Sequence, residues 1–212
     1  MNYDKKYFKR HFSGKGIAGP FYRKYIDMRN KIIKKEVLRI IKEGKFLDIG
    51  FGDDNLIKFF QDSFEVFGID ISKYAIKEIQ KKYKKENFKI CDISKEKIPF
   101  EEKFNVISAI NTIEHLRNLN YVFEKIYNSL EENGLFVMYL PTQSNKISKT
   151  QYKLLYNVKE HTFRPSNEKL KKMLKKAGFK LVKECSGGFF PLKIKNKPTI
   201  DTFNLYFGIF QK

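Results

Sequence analysis

From about residue 22 onward the chain alternates short apolar runs with segments whose apolar residues recur at helical spacing. This alternation constrains the fold most, because strands separated by helices pair in parallel through crossover connections. Apolar positions at Ile26, Ile33, Val37, Ile40 and Ile41 predict a helix over 22–43, with Gly44 as its stop. The run KFLDIG (45–50) predicts a buried strand, and helix signals return at 54–62. A second strand is predicted over 64–70, after which Ser72 is placed to cap a helix with the stripe Ala75, Ile76, Ile79 and Tyr83. Further strands are predicted at 88–91, 104–110 and 135–140, the last stopped by Pro141. Leu119, Val122, Phe123, Ile126 and Leu130 mark a helix before the 135–140 strand, with Gly134 just beyond it. A helix over 166–177, closed by Gly178, precedes two final strands at 179–185 and 205–211. Their join, 186–204, has no helical stripe and so allows an antiparallel hairpin at the sheet edge.

The length of 212 residues suits one domain with a full core, and 42% of the residues are hydrophobic. No apolar run is long enough to span a bilayer, and the opening MNYDKKYFKR lacks a signal-peptide stretch. Cys91 and Cys185 are the two cysteines, with no CxxC pair. That argues against a disulfide framework or zinc knuckle and makes a reducing cytoplasm the expected location. The net charge of +19 raises a nucleic-acid or anionic-membrane partner. Against this, only six of the 43 basic residues are arginine, the residue suited to bidentate phosphate and base contacts. Lysines also fall on solvated helix faces: Lys171, Lys172, Lys175 and Lys176 lie opposite Leu170, Met173, Leu174 and Ala177.

The residues that carry chemistry sit where strands give way to helices. In LDIGFGDDN (47–55), Gly50 and Gly52 lack a Cβ and let a ligand approach the backbone, and the next helix offers free N–H groups. Asp70 ends the following strand in FGIDIS, where a carboxylate can accept both hydroxyls of a ribose diol. It can equally belong to a helix-capping turn. Asp92 follows the third strand in KICDISKEKIPF, and the fourth strand runs into Glu114-His115 in FNVISAINTIEHL (104–116). LEENGLFVMYLPT (130–142) comes next.

In order and spacing, these segments resemble the successive motifs of class I S-adenosylmethionine-dependent methyltransferases, over about 45–185. The EHL turn and HTFRPSNEKLKKMLKKAGF (161–179) resemble the small-molecule group, which includes the ubiquinone-pathway O-methyltransferases. The resemblance implies an α/β, Rossmann-like, seven-stranded, mostly parallel sheet with an antiparallel last strand and helices on both faces. It implies one methyltransferase domain over 1–212, with an N-terminal helical cap region (1–43) and a cofactor-binding core with C-terminal strands (44–212). Asp48, Gly50 and Gly52 would lie under the methionine portion of S-adenosylmethionine. Asp70 would bind the ribose hydroxyls, and the adjoining Ile71 is a further cofactor-binding candidate. Asp92 would meet the adenine amine, with Ile93 giving a backbone donor and an apolar wall. Asn111 would approach the methionine end and the acceptor. Two positions depart from the family pattern. Asp54 replaces a usual third glycine, and would either crowd the cofactor or hold its ammonium. Asn105 replaces a usual acid after the fourth strand's aromatic. The loop GFGDDN also differs from the GxGxxG of nicotinamide dehydrogenases.

Methyl transfer needs in-line placement of the acceptor, and a base where the acceptor carries a proton. Of the three histidines, His115 and His161 fall in segments predicted to border the pocket. Glu114, His115 and His161 are the candidate catalytic residues, with His115 also readable as a structural residue at a helix start. The same three as metal ligands would be an incomplete set, so no metal is assigned. Tyr3, Tyr7, Phe8, Phe12, Phe21, Tyr22 and Tyr25 suggest an N-terminal segment folded over the ligand edge, and Tyr152 and Tyr156 candidate walls of the acceptor site. The 186–204 connection, with Phe189, Phe190 and Leu192, is a candidate lid or homodimer contact. The leading reading is methylation of a small-molecule acceptor on oxygen or nitrogen. Competing readings are an RNA or protein methyltransferase using the basic surface, and a non-catalytic cofactor-binding protein. NTIE (111–114) is unlike the NPPY-type tetrapeptide of base-amine methylation. If the basic surface is a solvated one, random RNA should bind only in the micromolar range or weaker at physiological salt. A filter-binding isotherm in the nanomolar range would promote the RNA reading instead.

Overall fold

The computed structural model describes residues 19–53, 56–144, 146–155, 161–186 and 205–212. Seven strands form one sheet: β1 (Gly44–Ile49), β2 (Phe64–Asp70), β3 (Phe88–Ile90), β4 (Phe104–Ile110), β5 (Leu130–Pro141), β6 (Lys180–Ser186) and β7 (Leu205–Gln211). Their order is β3-β2-β1-β4-β5-β7-β6. β1 to β5 pair in parallel, and β7 runs antiparallel between β5 and β6. This is the expected architecture. The chain winds outward from β1 to β3, then returns to the other side of β1 to begin β4. The strand order therefore reverses beside β1, and in open α/β sheets that reversal opens a crevice at the strands' carboxyl ends.

Helices cover both faces. On one, α1 (Gly19–Leu38), α2 (Ile57–Phe60) and α3 (Lys73–Ile79) pack on β-strand residues such as Phe46, Val66, Val106 and Val137 through Ile33, Val37, Phe60 and Ile76. Phe46 and Phe60 stack at 4.1 Å. On the other, α4 (Leu119–Ser129) and α6 (Asn167–Lys176) bury Val122, Phe123, Ile126, Leu170 and Leu174 against Leu47, Ile69, Ile107 and Phe136. Phe46 and Leu47 point to opposite faces, as successive strand residues must. β1 is thus covered on both sides, which is why the consecutive residues Phe46 and Leu47 are both apolar.

The boundaries correct several expectations. α1 stops at Leu38, not 43; Ile40 and Ile41 donate their N–H groups to Val37 O in the turn toward β1, and Ile40 is exposed. α2 is a single turn. β5 begins at Leu130, directly after α4, and carries Gly134 inside it. A further helix not read from the sequence, α5 (Lys146–Leu155), follows β5. Ser72 caps α3 as expected, accepting from Ala75 N–H at 3.2 Å, and Ser166, read as the first residue of its helix, instead caps α6 by accepting from Lys169 N–H at 3.2 Å. The readings on Tyr3, Tyr7, Phe8, Phe12, Asp54, Tyr156 and Phe189, Phe190 and Leu192 fall outside the described residues, as do the side chains of Phe21 and Tyr22. No helix among the described residues is long and apolar enough to cross a membrane.

Candidate active site

The carboxyl ends of β1, β2 and β3 form the first half of the site. Asp48, one residue before the end of β1, is 2% exposed and accepts a 2.5 Å hydrogen bond from Ser108 Oγ of β4. The two meet because Asp48 and Ser108 are opposite each other in the β1–β4 register. Burial pushes the Asp48 carboxyl up to about 7, against the pull of Ser108 and the Arg29 charge. Arg29 comes from α1, is itself buried, donates twice to Asn30 Oδ1 (3.0 and 2.9 Å) and lies over the Tyr139 ring. Tyr139 Oη is 2.5 Å from Tyr25 Oη, so α1 crosses the ends of β1 and β5.

The glycine loop follows. Gly50 has φ +69°, and a Cβ there would stand 2.7 Å from Thr112. Both the backbone and the packed Thr112 therefore require glycine. Gly52, at φ +63°, donates its N–H to Asp70 Oδ2 at 3.1 Å. Asp70 Oδ1 accepts Ser72 N–H at 2.8 Å. The Asp70 carboxylate thus ties the loop to the start of α3, and burial raises its pKa. Cys91 N–H donates to Asp70 O, which sets the end of β3 beside the end of β2. Asp92 there accepts Ser94 N–H and pairs with Lys95 at 2.9 Å. Ile71 is half exposed, whereas the Ile93 side chain packs in the core and its carbonyl accepts Lys125 Nζ. Asn111, exposed after β4 with φ +52°, donates its N–H to Tyr139 O at 2.7 Å. Asparagine tolerates that left-handed backbone. Asn105, far from this edge, accepts Lys45 N–H at 2.8 Å, a structural role.

The second half is built from two distant stretches. After β4, the turn Ile113–His115 buries Glu114 to 1% exposure. The Glu114 carboxylate takes its own backbone N–H, while Oε2 meets no hydrogen-bond donor among the described residues. Burial raises its pKa to about 8. The stretch at 161–163 is pinned to this turn: Phe163 N–H donates to Glu114 O at 3.0 Å and Thr162 Oγ1 to Leu116 O at 3.1 Å. His161 then lies edge-on to His115, ring centroids 4.8 Å apart. His161 Nδ1 is 2.6 Å from the hydroxyl of the fully buried Tyr152. Burial and the neighbouring Glu114 charge raise the Tyr152 pKa, so the phenol stays protonated. All three sequence candidates, Glu114, His115 and His161, are therefore brought together.

The family model of the methyltransferase domain matches residues 22–184. The chain belongs to the methyltransferase domain family. Solved structures with similar folds include the PH0226 protein of Pyrococcus horikoshii (22% identity, TM-score 0.67, covering 98% of this chain and 99% of that one). A methyltransferase of Clostridium acetobutylicum, described as S-adenosylmethionine-dependent, is 15% identical (TM-score 0.68, covering 97% and 96%). Magnesium protoporphyrin IX methyltransferase of Synechocystis, with SAH bound, is 14% identical (TM-score 0.67, covering 99% and 96%). No curated protein matches the chain by sequence.

Sequence reasoning missed Arg29, Ser108, Thr112 and Tyr139. Arg29 had a signal, being one of few arginines in a lysine-rich chain, and Ser108 is the one hydroxyl in the apolar run of β4. Asp48 gives this site a measurable pH signature. Folded, it keeps its proton to about pH 7, against an ordinary value of 3.8. Between those values the folded chain holds the extra proton, so stability falls as pH rises, by up to about 1.4 kcal/mol per pH unit. Asp48→Asn, which still accepts from Ser108, lacks this slope. Urea denaturation from pH 5 to 7 should show the variant gaining on the parent by more than about 1 kcal/mol. A pH-independent difference would contradict the buried, protonated Asp48.

Proposed function

We propose that the chain transfers a methyl group from S-adenosylmethionine to an oxygen or nitrogen of a small-molecule acceptor. One observation carries this reading. Asp48, Asp70 and Asp92 line the adjacent carboxyl ends of β1, β2 and β3, beside the Gly50–Gly52 loop and at the strand-order reversal. That row suits a ligand bearing hydroxyls and amines. When bound, S-adenosylmethionine supplies an electrophilic methyl group on a sulfonium. Asp70 retains lone pairs for the ribose hydroxyls beyond the two backbone N–H groups it already accepts, since a carboxylate offers about four such sites. Asp92 and the Ile93 backbone lie on the adenine side, with Ile71. Asp48, Gly50 and Gly52 serve the methionine side, and Asn111 serves the methionine end and the acceptor.

Glu114, His115 and His161 handle the acceptor. His161 is the base: with Nδ1 held by Tyr152, the proton of the incoming hydroxyl or amine passes to Nε2 as the new bond to carbon forms. Glu114 and His115 hold the imidazole in place across the pinned 161–163 stretch. The EHL turn and the 161–179 segment favour a hydroxyl acceptor, in keeping with their resemblance to ubiquinone-pathway O-methyltransferases. We read 1–212 as one domain working in a reducing cytoplasm, a location in keeping with its free thiols Cys91 and Cys185.

Titration calorimetry with S-adenosylmethionine tests the donor side. Asp70→Ala should weaken binding by about 1.5–3 kcal/mol, the worth of a hydrogen bond to a charged group. Unchanged affinity would sink the site, and no binding by the parent protein would sink the function. A screen of phenols, amines and sugar derivatives with labelled donor would supply an acceptor. His161→Ala should then lower turnover by about 10²–10⁴-fold with donor affinity unchanged. Near-normal turnover in that variant would remove the base role.

A further inference from the structure

We propose that Glu114, His115 and His161 bind a divalent transition-metal ion. One ligand atom from each of the three lies within 4.8 Å of the others. Two atoms each about 2.1 Å from a shared ion sit at most about 4.2 Å apart, so small side-chain rotations close the set. Two imidazoles and one carboxylate suit Zn2+, Mn2+ or Fe2+ better than the all-oxygen preferences of Ca2+ or Mg2+.

A second, independent observation points the same way. Glu114 is 1% exposed, and its Oε2 meets no hydrogen-bond donor among the described residues. Carboxylate oxygens are rarely left in that condition, because the lost solvation needs a partner. A cation between Glu114 and the two imidazoles is such a partner. The scaffold is also that of a held site. Phe163 N–H and Thr162 Oγ1 clamp the strip bearing His161 to the turn bearing Glu114 and His115. Tyr152 holds His161 Nδ1 at 2.6 Å, the outer hydrogen bond that orients a ligating imidazole through its other nitrogen. His115 and His161 are half-buried, so the cluster is not sealed from solvent.

This inference stands on ligand geometry and does not rest on the methyl-transfer reading. The two meet at one atom: a bound ion occupies the His161 nitrogen that the metal-free chain uses as a base, so the roles alternate with occupancy. Untagged protein, stripped with EDTA, would be titrated with Zn2+ by calorimetry and with Mn2+ by EPR. One ion per chain is expected. Glu114→Gln and His161→Asn should each weaken it by about a hundredfold, and Tyr152→Phe by about tenfold. Absence of binding by both ions up to millimolar concentration would overturn the site. So would parent-like affinity in His161→Asn or in a folded Glu114→Gln, with folding checked by thermal unfolding in EDTA. S-adenosylmethionine calorimetry in EDTA separates the claims: donor binding without metal binding sinks only this site, and metal binding without donor binding sinks only the methyl-transfer reading.

Discussion

The pairing of β1 with β2 on one side and β4 on the other is the constraint on which the rest depends. Buried between helices on both faces, β1 has its one buried polar side chain, Asp48, near its carboxyl end. Register puts Asp48 opposite Gly68 and Ser108, and Ile49 opposite Ile69, one residue before Asp70. Gly50 N–H then bonds Ile69 O at 2.8 Å, which turns the loop over the end of β2. Shifting β1 by one residue would send Phe46 and Leu47 to the wrong faces and swing Asp48 away from Ser108. The packing of the core and the placement of the carboxylates are therefore one decision.

Burial sets the chemistry as well as the stability. Asp48, Asp70 and Glu114 all sit where water is largely excluded, and each has a raised pKa for that reason. Such carboxyl groups are costly to the folded chain unless a donor, proton or cation meets them. Ser108 partly meets Asp48, and the backbone of Gly52 and Ser72 meets Asp70. The residual imbalance falls on the edge where the methyltransferase domain's ligands are proposed to bind, which is the usual relation between perturbed groups and functional sites.

Most of the sheet was legible because buried parallel strands are short apolar runs ended by glycine or aspartate, as in KFLDIG and FGID. The positions of Asp70 and Asp92 followed from that, since residues ending neighbouring parallel strands lie on the same edge, whereas Asp48 was singled out by the family resemblance. Less legible were features decided in three dimensions. α1 ends before Ile40 because the chain must turn into β1, although the apolar stripe continues. α5 carries only scattered apolar residues in KISKTQYKLL, although Ser144 and Asn145 precede it as candidate caps. That Thr162 touches Leu116, 46 residues away, has no local trace, so the sequence offered Glu114, His115 and His161 as candidates without the contact that joins them. Arg29 reaches the Asp48 neighbourhood from a helix read only as a cap.

The central claim is that the carboxyl ends of β1, β2 and β3 hold the methyl donor. A crystal structure of the chain with S-adenosylhomocysteine tests it most directly. The account predicts the ligand over Gly50 and Gly52, its ribose hydroxyls on Asp70 and its thioether directed toward Asn111 and His161. Ligand density anywhere else, or a ribose with no contact to Asp70, would contradict it.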